Sequence, residues 1–308
     1  MQIVVPDGHM LNPGDNPWDA VAALGDFTLY DLTAEDKIIE RMIGADIAVT
    51  NKVPFSKEIL EKLPNLKFIA VTATGYNIVD LSAAKTRGIP VSNVPEYGTN
   101  SVAQVTFALI LELTNSVGHH SSAVHSGRWS GQPHVSFWEK PQIELVGKKI
   151  GIIGYGRIGK RVADIAAALK MKVLTAGRDP VRVREVISQS DIVTLHCPLT
   201  EENTGMVNRE FLTHMKSSAF FINTARGGLV VEQDLADALN GGKIAGAAVD
   251  VVSIEPIRQD NPLLKAKNCI ITPHIAWASL EARKRLMQAT AENIRAFFAG
   301  TPTNVVNP

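Results

Sequence analysis

Lys149-Ile150-Gly151-Ile152-Ile153-Gly154-Tyr155-Gly156-Arg157-Ile158-Gly159 is the stretch that decides the fold. A short apolar run passes directly into Gly-x-Gly-x-x-Gly, and the residues from there to about Leu169 have helical spacing. The reading is strand, tight turn, helix. In that context the first Gly permits the turn, the second lets the backbone approach a pyrophosphate and the third lets helix and strand pack closely. The helix N-terminus then faces the anion. The motif residues Gly154, Tyr155, Gly156, Arg157, Ile158 and Gly159 are therefore expected to bind a dinucleotide; the bland alternative is a Gly-rich turn that holds no cofactor.

Working outward, further strands are expected at Val173 to Ala176, Ile192 to His196, Phe220 to Asn223, Ala247 to Val251 and Ile270 to Thr272. Toward the N-terminus, Ile3 to Val5, Phe27 to Tyr30, Ile47 to Thr50, Phe68 to Thr72 and Val91 to Val94 repeat the alternation of β-branched runs with helical patterns. Helix starts are read at Thr33, with Asp36 three residues on, and at Ser56. A long apolar helix is expected over Ser101 to Val117, followed by a His-, Ser- and Gly-rich hinge and arm. Glu281 to Ala299 also has helical spacing. The fold class is α/β, two parallel-sheet domains of Rossmann-like and flavodoxin-like type separated by a cleft. Residues 1–99 with 283–308 form the substrate domain. Residues 100–282 form the dinucleotide domain, with an arm near 118–141 and hinges near Asn100 and Ala282.

At 308 residues the chain exceeds the size of one hydrophobic core, which agrees with two domains. Lys plus Arg and Asp plus Glu both number 31, so no global field recruits nucleic acid or an anionic membrane. No apolar run is long enough to span a bilayer, and the first residues read as a strand rather than a signal peptide. The two cysteines, Cys197 and Cys269, lie in apolar runs, which argues for a reducing compartment, with cytoplasm the default.

An NAD site of this type has an acidic residue after its second strand to take the ribose 2′-hydroxyl. Here that strand leads into Gly177-Arg178-Asp179, with Arg182 and Arg184 nearby. Gly followed by Arg would attract a 2′-phosphate, and the reading leans to NADP(H) over NAD(H). The alternative has Asp179 on the hydroxyl and the arginines solvated.

Three later blocks carry the chemistry: Asn223-Thr224-Ala225-Arg226-Gly227, Asp250-Val251-Val252-Ser253-Ile254-Glu255-Pro256 and Pro273-His274-Ile275. Reducing a 2-keto acid needs a cation for carboxylate and carbonyl, an acid for the developing alkoxide and a partner that orients the acid. Arg226, His274 and Glu255 supply these, each just beyond an expected strand end.

On these motifs the chain, over essentially its whole length, resembles the D-isomer-specific 2-hydroxyacid dehydrogenases. The resemblance implies that Arg226 binds substrate and that Glu255 and His274 form a proton relay. It also implies that Asp250 contacts the nicotinamide carboxamide, and that Ala73, Thr74 and Gly75 offer backbone N–H groups to the substrate carboxylate. The formate-oxidising relatives carry Gln in place of Glu255, which argues against formate. Tyr97 to Gln104 and His274 to Ala278 look most like the hydroxypyruvate reductase or glycerate dehydrogenase branch, although Gln104 departs from other branches and the run from Asp179 to Ser190 is short. The expected cofactor-binding set adds Gly177, Arg178, His196, Cys197, Pro198, Thr204, Thr224, Ala225, Asp250 and His274. The expected substrate is a small 2-keto or 2-hydroxy acid, hydroxypyruvate or glyoxylate favoured, with no metal and a homodimer built through the arm around Arg128-Trp129. Alternatives are a bulkier 2-keto acid or a nicotinamide-sensing, corepressor-like binding protein.

Four histidines in the arm, His119, His120, His125 and His134, offer a metal reading. No Cys, Asp or Glu is expected to complete a ligand set at their spacing. His196 beside Cys197 is expected to line the adenosine pocket rather than form a nucleophilic pair. Lys52 is read either as reaching the substrate cleft or as a solvated surface lysine.

Overall fold

A computed structural model describes all residues 1–308. The chain divides into two compact units, Met1–Gly98 with Ala278–Pro308, and Thr99–Trp277.

The first unit is built on a five-stranded parallel sheet of β1 (Gln2–Val5), β2 (Asp26–Leu29), β3 (Ile47–Thr50), β4 (Phe68–Val71) and β5 (Val91–Ser92). Its order, β2-β1-β3-β4-β5, is the flavodoxin-like one. β3 and β4 are buried at every position, as strands covered on both faces must be, whereas edge strand β2 is half exposed. The helix Leu280–Phe298, capped by the Ser279 hydroxyl, returns to this unit and stacks Phe297 on Phe68 with ring centres 4.6 Å apart.

Ser56 caps the helix Lys57–Glu61 as its sequence predicts. Thr33 does not cap a helix. Its hydroxyl donates to the Pro6 carbonyl and accepts from Arg41, so this Thr pins the loop instead of the short 3-10 turn that begins at Glu35.

The second unit holds six parallel strands, β6 (Lys149–Ile153), β7 (Lys172–Ala176), β8 (Ile192–Leu195), β9 (Phe220–Asn223), β10 (Gly246–Val249) and β11 (Cys269–Ile271). They are ordered β11-β10-β9-β8-β6-β7. The chain leaves β6 toward β7 on one side and then crosses to β8 on the other. The order therefore switches at the C-terminal ends of β6 and β8, where open α/β sheets bind ligands. Two apolar clusters fill the two faces, one beneath the helices Thr99–Asn115 and Arg157–Ala168, the other beneath Pro180–Gln189 and Glu232–Asn240. The short run after Asp179 is a single helix leading straight to β8, which leaves β7 as the sheet edge.

The arm is more regular than its composition implies. The long helix ends at Asn115, Ser116 takes a left-handed conformation (φ 48°), and a second helix spans Val117–His125. His120 supports that break by hydrogen bonding from its ring to the Ser116 carbonyl.

Candidate active site

The glycine motif divides into packing and open positions. Gly154 has φ +96°, and a Cβ there would lie 2.6 Å from the Cys197 nitrogen and 2.7 Å from the His196 carbonyl oxygen. A Cβ on Gly159 would overlap the Gly154 carbonyl. These two glycines let the turn, the helix and β8 meet. Gly156 is different: a Cβ there would meet nothing within 4 Å. Its open face is where a phosphate would approach the helix N-terminus, so the cradle fits the dinucleotide that the motif implies. Ile158 packs into the core beneath the sheet, so within the motif Gly154, Tyr155 and Gly156 are the residues that border the cavity.

That cavity, about 850 Å³, runs from the glycine turn past Gly177 and Arg178 to His196, Cys197 and Pro198. Burial pushes the His196 imidazole down to about 3 and the Cys197 thiol up. At neutral pH the ring is uncharged, with Nε2 against the Thr194 hydroxyl at 3.0 Å, and the thiol stays protonated. A thiolate pair is excluded, and both residues act as walls.

Of the three arginines near β7, Arg182 pairs with Glu185 and Arg184 with Glu210. Arg178 stands on the cavity wall with Glu202, whose carboxyl is held below its usual range by the Thr200 hydroxyl and more weakly by the Arg178 charge. The Asp179 carboxylate caps the following helix through the Val181 N–H.

Several cofactor candidates do not line this cavity, Thr204 and Thr224 among them. Thr204 is exposed and donates to the carbonyl of Thr200. Thr224 is buried, and because the Thr106 hydroxyl proton already goes to Val102, Thr224 donates to Thr106 at 3.0 Å. Residues that the sequence reading missed line the same space, including Thr200, Asn203, Met206 and Phe211. Thr200-x-x-Asn203 is a capping box, and that was the available signal for these two.

Arg226, Glu255 and His274 all follow strands of the second unit. Asn223 shapes the first turn: its side chain accepts from the Ala225 N–H and donates to the Arg226 carbonyl. The exposed Arg226 guanidinium spends one N–H on the Ala225 carbonyl at 2.7 Å, and four of its five donors remain to grip an anion. His274 Nδ1 lies 2.6 Å from Glu255 Oε2. An ionised carboxylate only accepts, so Nδ1 carries the proton of that bond and Nε2 is the nitrogen that gives and takes a proton.

His274 is held in a left-handed conformation (φ 55°), and the brace is Asp250. This buried carboxylate accepts from the Thr272 hydroxyl (2.6 Å) and from the N–H groups of Ile275 (2.9 Å) and Ala276 (2.8 Å), while its own carbonyl accepts from His274 N–H. The family resemblance implies that Asp250 contacts the nicotinamide. In this structure its carboxylate accepts three hydrogen bonds from the histidine loop.

In the first unit the carbonyls of Ala73 and Thr74 accept from Val94 N–H and the Asn93 amide. The N–H groups of Thr74 and Gly75 make no backbone hydrogen bond within the chain. Asp7, buried beside this loop's neighbour, accepts from the N–H groups of Asn51, Lys52 and Val53 and fixes the backbone from which Lys52 extends. In the arm Glu139 reaches His119 at 2.8 Å, a carboxylate partner that sequence spacing did not provide for, but no group of three or more potential ligands forms there or elsewhere.

The family model for the NAD binding domain of D-isomer specific 2-hydroxyacid dehydrogenases matches residues 107–276. This chain belongs to that family. It is 53% identical to a hydroxypyruvate reductase of Blautia hydrogenotrophica over the full length of both proteins. It is 44% identical to a glycerate dehydrogenase of Methylorubrum extorquens, covering 88% of each. Among solved structures, an acyclic imino acid reductase in complex with NADPH and D-Arg matches with a TM-score of 0.86 at 31% identity, over 99% of this chain and 100% of that one. The chain is therefore an oxidoreductase of the hydroxypyruvate reductase branch, with a nicotinamide cofactor domain.

Proposed function

We propose that this enzyme reduces a small 2-keto acid, hydroxypyruvate or glyoxylate in preference to others, to the D-2-hydroxy acid, and catalyses the reverse oxidation. The observation that carries the reading is the 2.6 Å contact between His274 Nδ1 and Glu255 Oε2, on the same side of the sheet as Arg226. When bound, the reduced nicotinamide supplies the hydride that C2 receives. Arg226 grips the carboxylate and polarises the carbonyl, which stabilises charge that develops only as the oxygen becomes an alkoxide. His274 holds a proton on Nε2 and delivers it to that oxygen; Glu255 fixes the ring through Nδ1 and compensates its positive charge. Ala73, Thr74 and Gly75 are the first unit's candidates to receive the carboxylate on backbone N–H groups.

For the cofactor we infer a preference for NADPH over NADH. Support comes from Arg178 on the cavity wall, from Gly177 in place of an acidic residue, and from Asp179 being engaged as a helix cap. We further assign the exposed Trp129 (50% exposed), Val135 (89%) and Trp138 (70%) of the arm to a homodimer contact. Cytoplasmic residence is supported by two unpaired cysteines.

The test is loss of reduced-nicotinamide absorbance with hydroxypyruvate, glyoxylate, pyruvate and a bulkier aliphatic keto acid, each with NADH and NADPH. Hydroxypyruvate or glyoxylate should give the highest kcat/KM, and the bulkier acid leading would overturn the substrate assignment. No turnover despite measurable cofactor binding would point instead to a nicotinamide-sensing protein. Sedimentation equilibrium decides the dimer.

A further inference from the structure

Glu255 sits in a stretch, Val251 to Asp260, that has no helix or strand, yet it must keep one carboxylate oxygen on His274. Within the stretch, its other carboxylate oxygen accepts from the Val252 N–H at 3.2 Å, so the position of Glu255 depends on what holds Val252 and Ser253. Two residues of the segment that follows β9, the segment that also carries Arg226, grip two consecutive residues of this loop. Gly227 packs so tightly on Val252 that any Cβ would overlap the Val252 carbonyl. Glu232, the first residue of the helix Glu232–Asn240, accepts from the Ser253 N–H at 2.7 Å, from the Ser253 hydroxyl at 2.8 Å and from the Asn261 amide at 2.9 Å. Glu232 thus closes both ends of the loop, with Glu255 between them.

We propose that Glu232 is a positioning residue for the proton relay, fixing Glu255 relative to both Arg226 and His274 through Ser253 and Asn261. The proposal rests on the assignment of Glu255 and His274 as the relay. The plain alternative is that an acidic residue in a first helical turn only favours the helix N-terminus, a stabilising role that does not involve Ser253. The geometry argues against that alternative, since all three hydrogen bonds leave the helix for the loop.

The experiment compares Glu232→Ala, Glu232→Gln and Ser253→Ala with Glu255→Gln and His274→Ala in the cofactor-loaded enzyme. It measures kcat and KM for hydroxypyruvate, cofactor Kd, Tm, and the far-downfield proton resonance of the His274 Nδ1–H bond. A displacement of about 1 Å remote from the chemistry costs up to roughly 10²-fold, so Glu232→Ala should lower kcat by about 10- to 100-fold. KM and cofactor Kd should stay within about twofold, and the downfield resonance should shift or vanish. Glu232→Gln, which keeps one acceptor oxygen at the same reach, should recover part of the rate and of the resonance. A Glu232→Ala enzyme with kcat within about twofold, or one whose resonance is unmoved while Tm and cofactor binding fall together, would overturn the proposal. If Glu232→Ala does not fold, Glu232→Gln and Ser253→Ala carry the test: both leaving rate and resonance unchanged would overturn it equally. Full turnover in His274→Ala and Glu255→Gln would instead sink the relay itself, while the resonance still reports whether Glu232 positions Glu255.

Discussion

Replacing Asp250 with Asn tests the claim that a buried carboxylate keeps the histidine loop in its working shape. The change preserves size but converts one oxygen into an N–H donor. Oδ1 receives the Thr272 hydroxyl and the Ile275 N–H, and Oδ2 receives the Ala276 N–H. If the amide keeps its oxygen at the first position, its NH2 faces the buried Ala276 N–H; if it flips, it faces Ile275. Either orientation sets a donor against a donor. A buried donor left unsatisfied costs about 1–3 kcal/mol, and the remaining bonds lose their charge assistance. Against this, the left-handed His274 has about 1–3 kcal/mol to gain by relaxing. The two quantities are of one size, so the braced loop should cease to dominate. With about 1.4 kcal/mol per tenfold in rate, kcat at saturating cofactor should fall roughly 10- to 100-fold. The assay is steady-state reduction of hydroxypyruvate together with cofactor titration and thermal unfolding. An Asp250→Asn enzyme with kcat within about threefold of wild type would refute the bracing argument. So would one whose whole loss lies in cofactor affinity, because the carboxylate would then act on the nicotinamide.

Gly154→Ala and Gly156→Ala should separate packing from binding. The first forces a Cβ into the His196–Cys197 backbone at positive φ and should lower Tm strongly, whereas the second points into open space and should leave Tm nearly unchanged while weakening the cofactor. Equal Tm losses would contradict this division. Arg178→Gln should raise the Kd for NADPH while leaving that for NADH nearly unchanged, and equal effects on both would remove the 2′-phosphate argument. His196 predicts a pH dependence. Its imidazole protonates near 6.5 when unfolded and at about 3 when folded, so between those values the unfolded chain binds more protons. Its contribution to stability is thus fully present above pH 6.5 and is lost as pH falls toward 3. His196→Gln should flatten the slope of Tm against pH in that window, and an unchanged slope would contradict the assignment.

The fold was legible wherever one residue property dictates backbone behaviour. Strands buried on both faces, such as β3, β4, β8, β9 and β10, announce themselves as continuous apolar runs, and the glycine turn fixes the order in which strand and helix follow. The arm was less legible, because Val117–His125 combines weak helix formers with a left-handed Ser116 that no local signal marks. Thr33 misled for a related reason: a capping pattern also suits a threonine that pins a loop across sequence distance, and only the fold brings Pro6 and Arg41 to it.

The site divides along the same line. Arg226, Glu255 and His274 were readable because their chemistry is rare and their motifs are short. Glu232 was not, and Asp250 was named only for the cofactor and not as a brace, because their work on these loops is done on residues about 20 to 29 positions away in the chain, a distance at which spacing carries no pattern. What distinguishes the two carboxylates from ordinary surface acids is that their acceptors are filled by donors from the loops that bear the relay. A brace of this kind is visible only after β9, β10 and β11 are laid side by side, since that register sets Asn223 beside Val249 and Val249 beside Ile271, and so starts the three functional loops from one edge of one sheet.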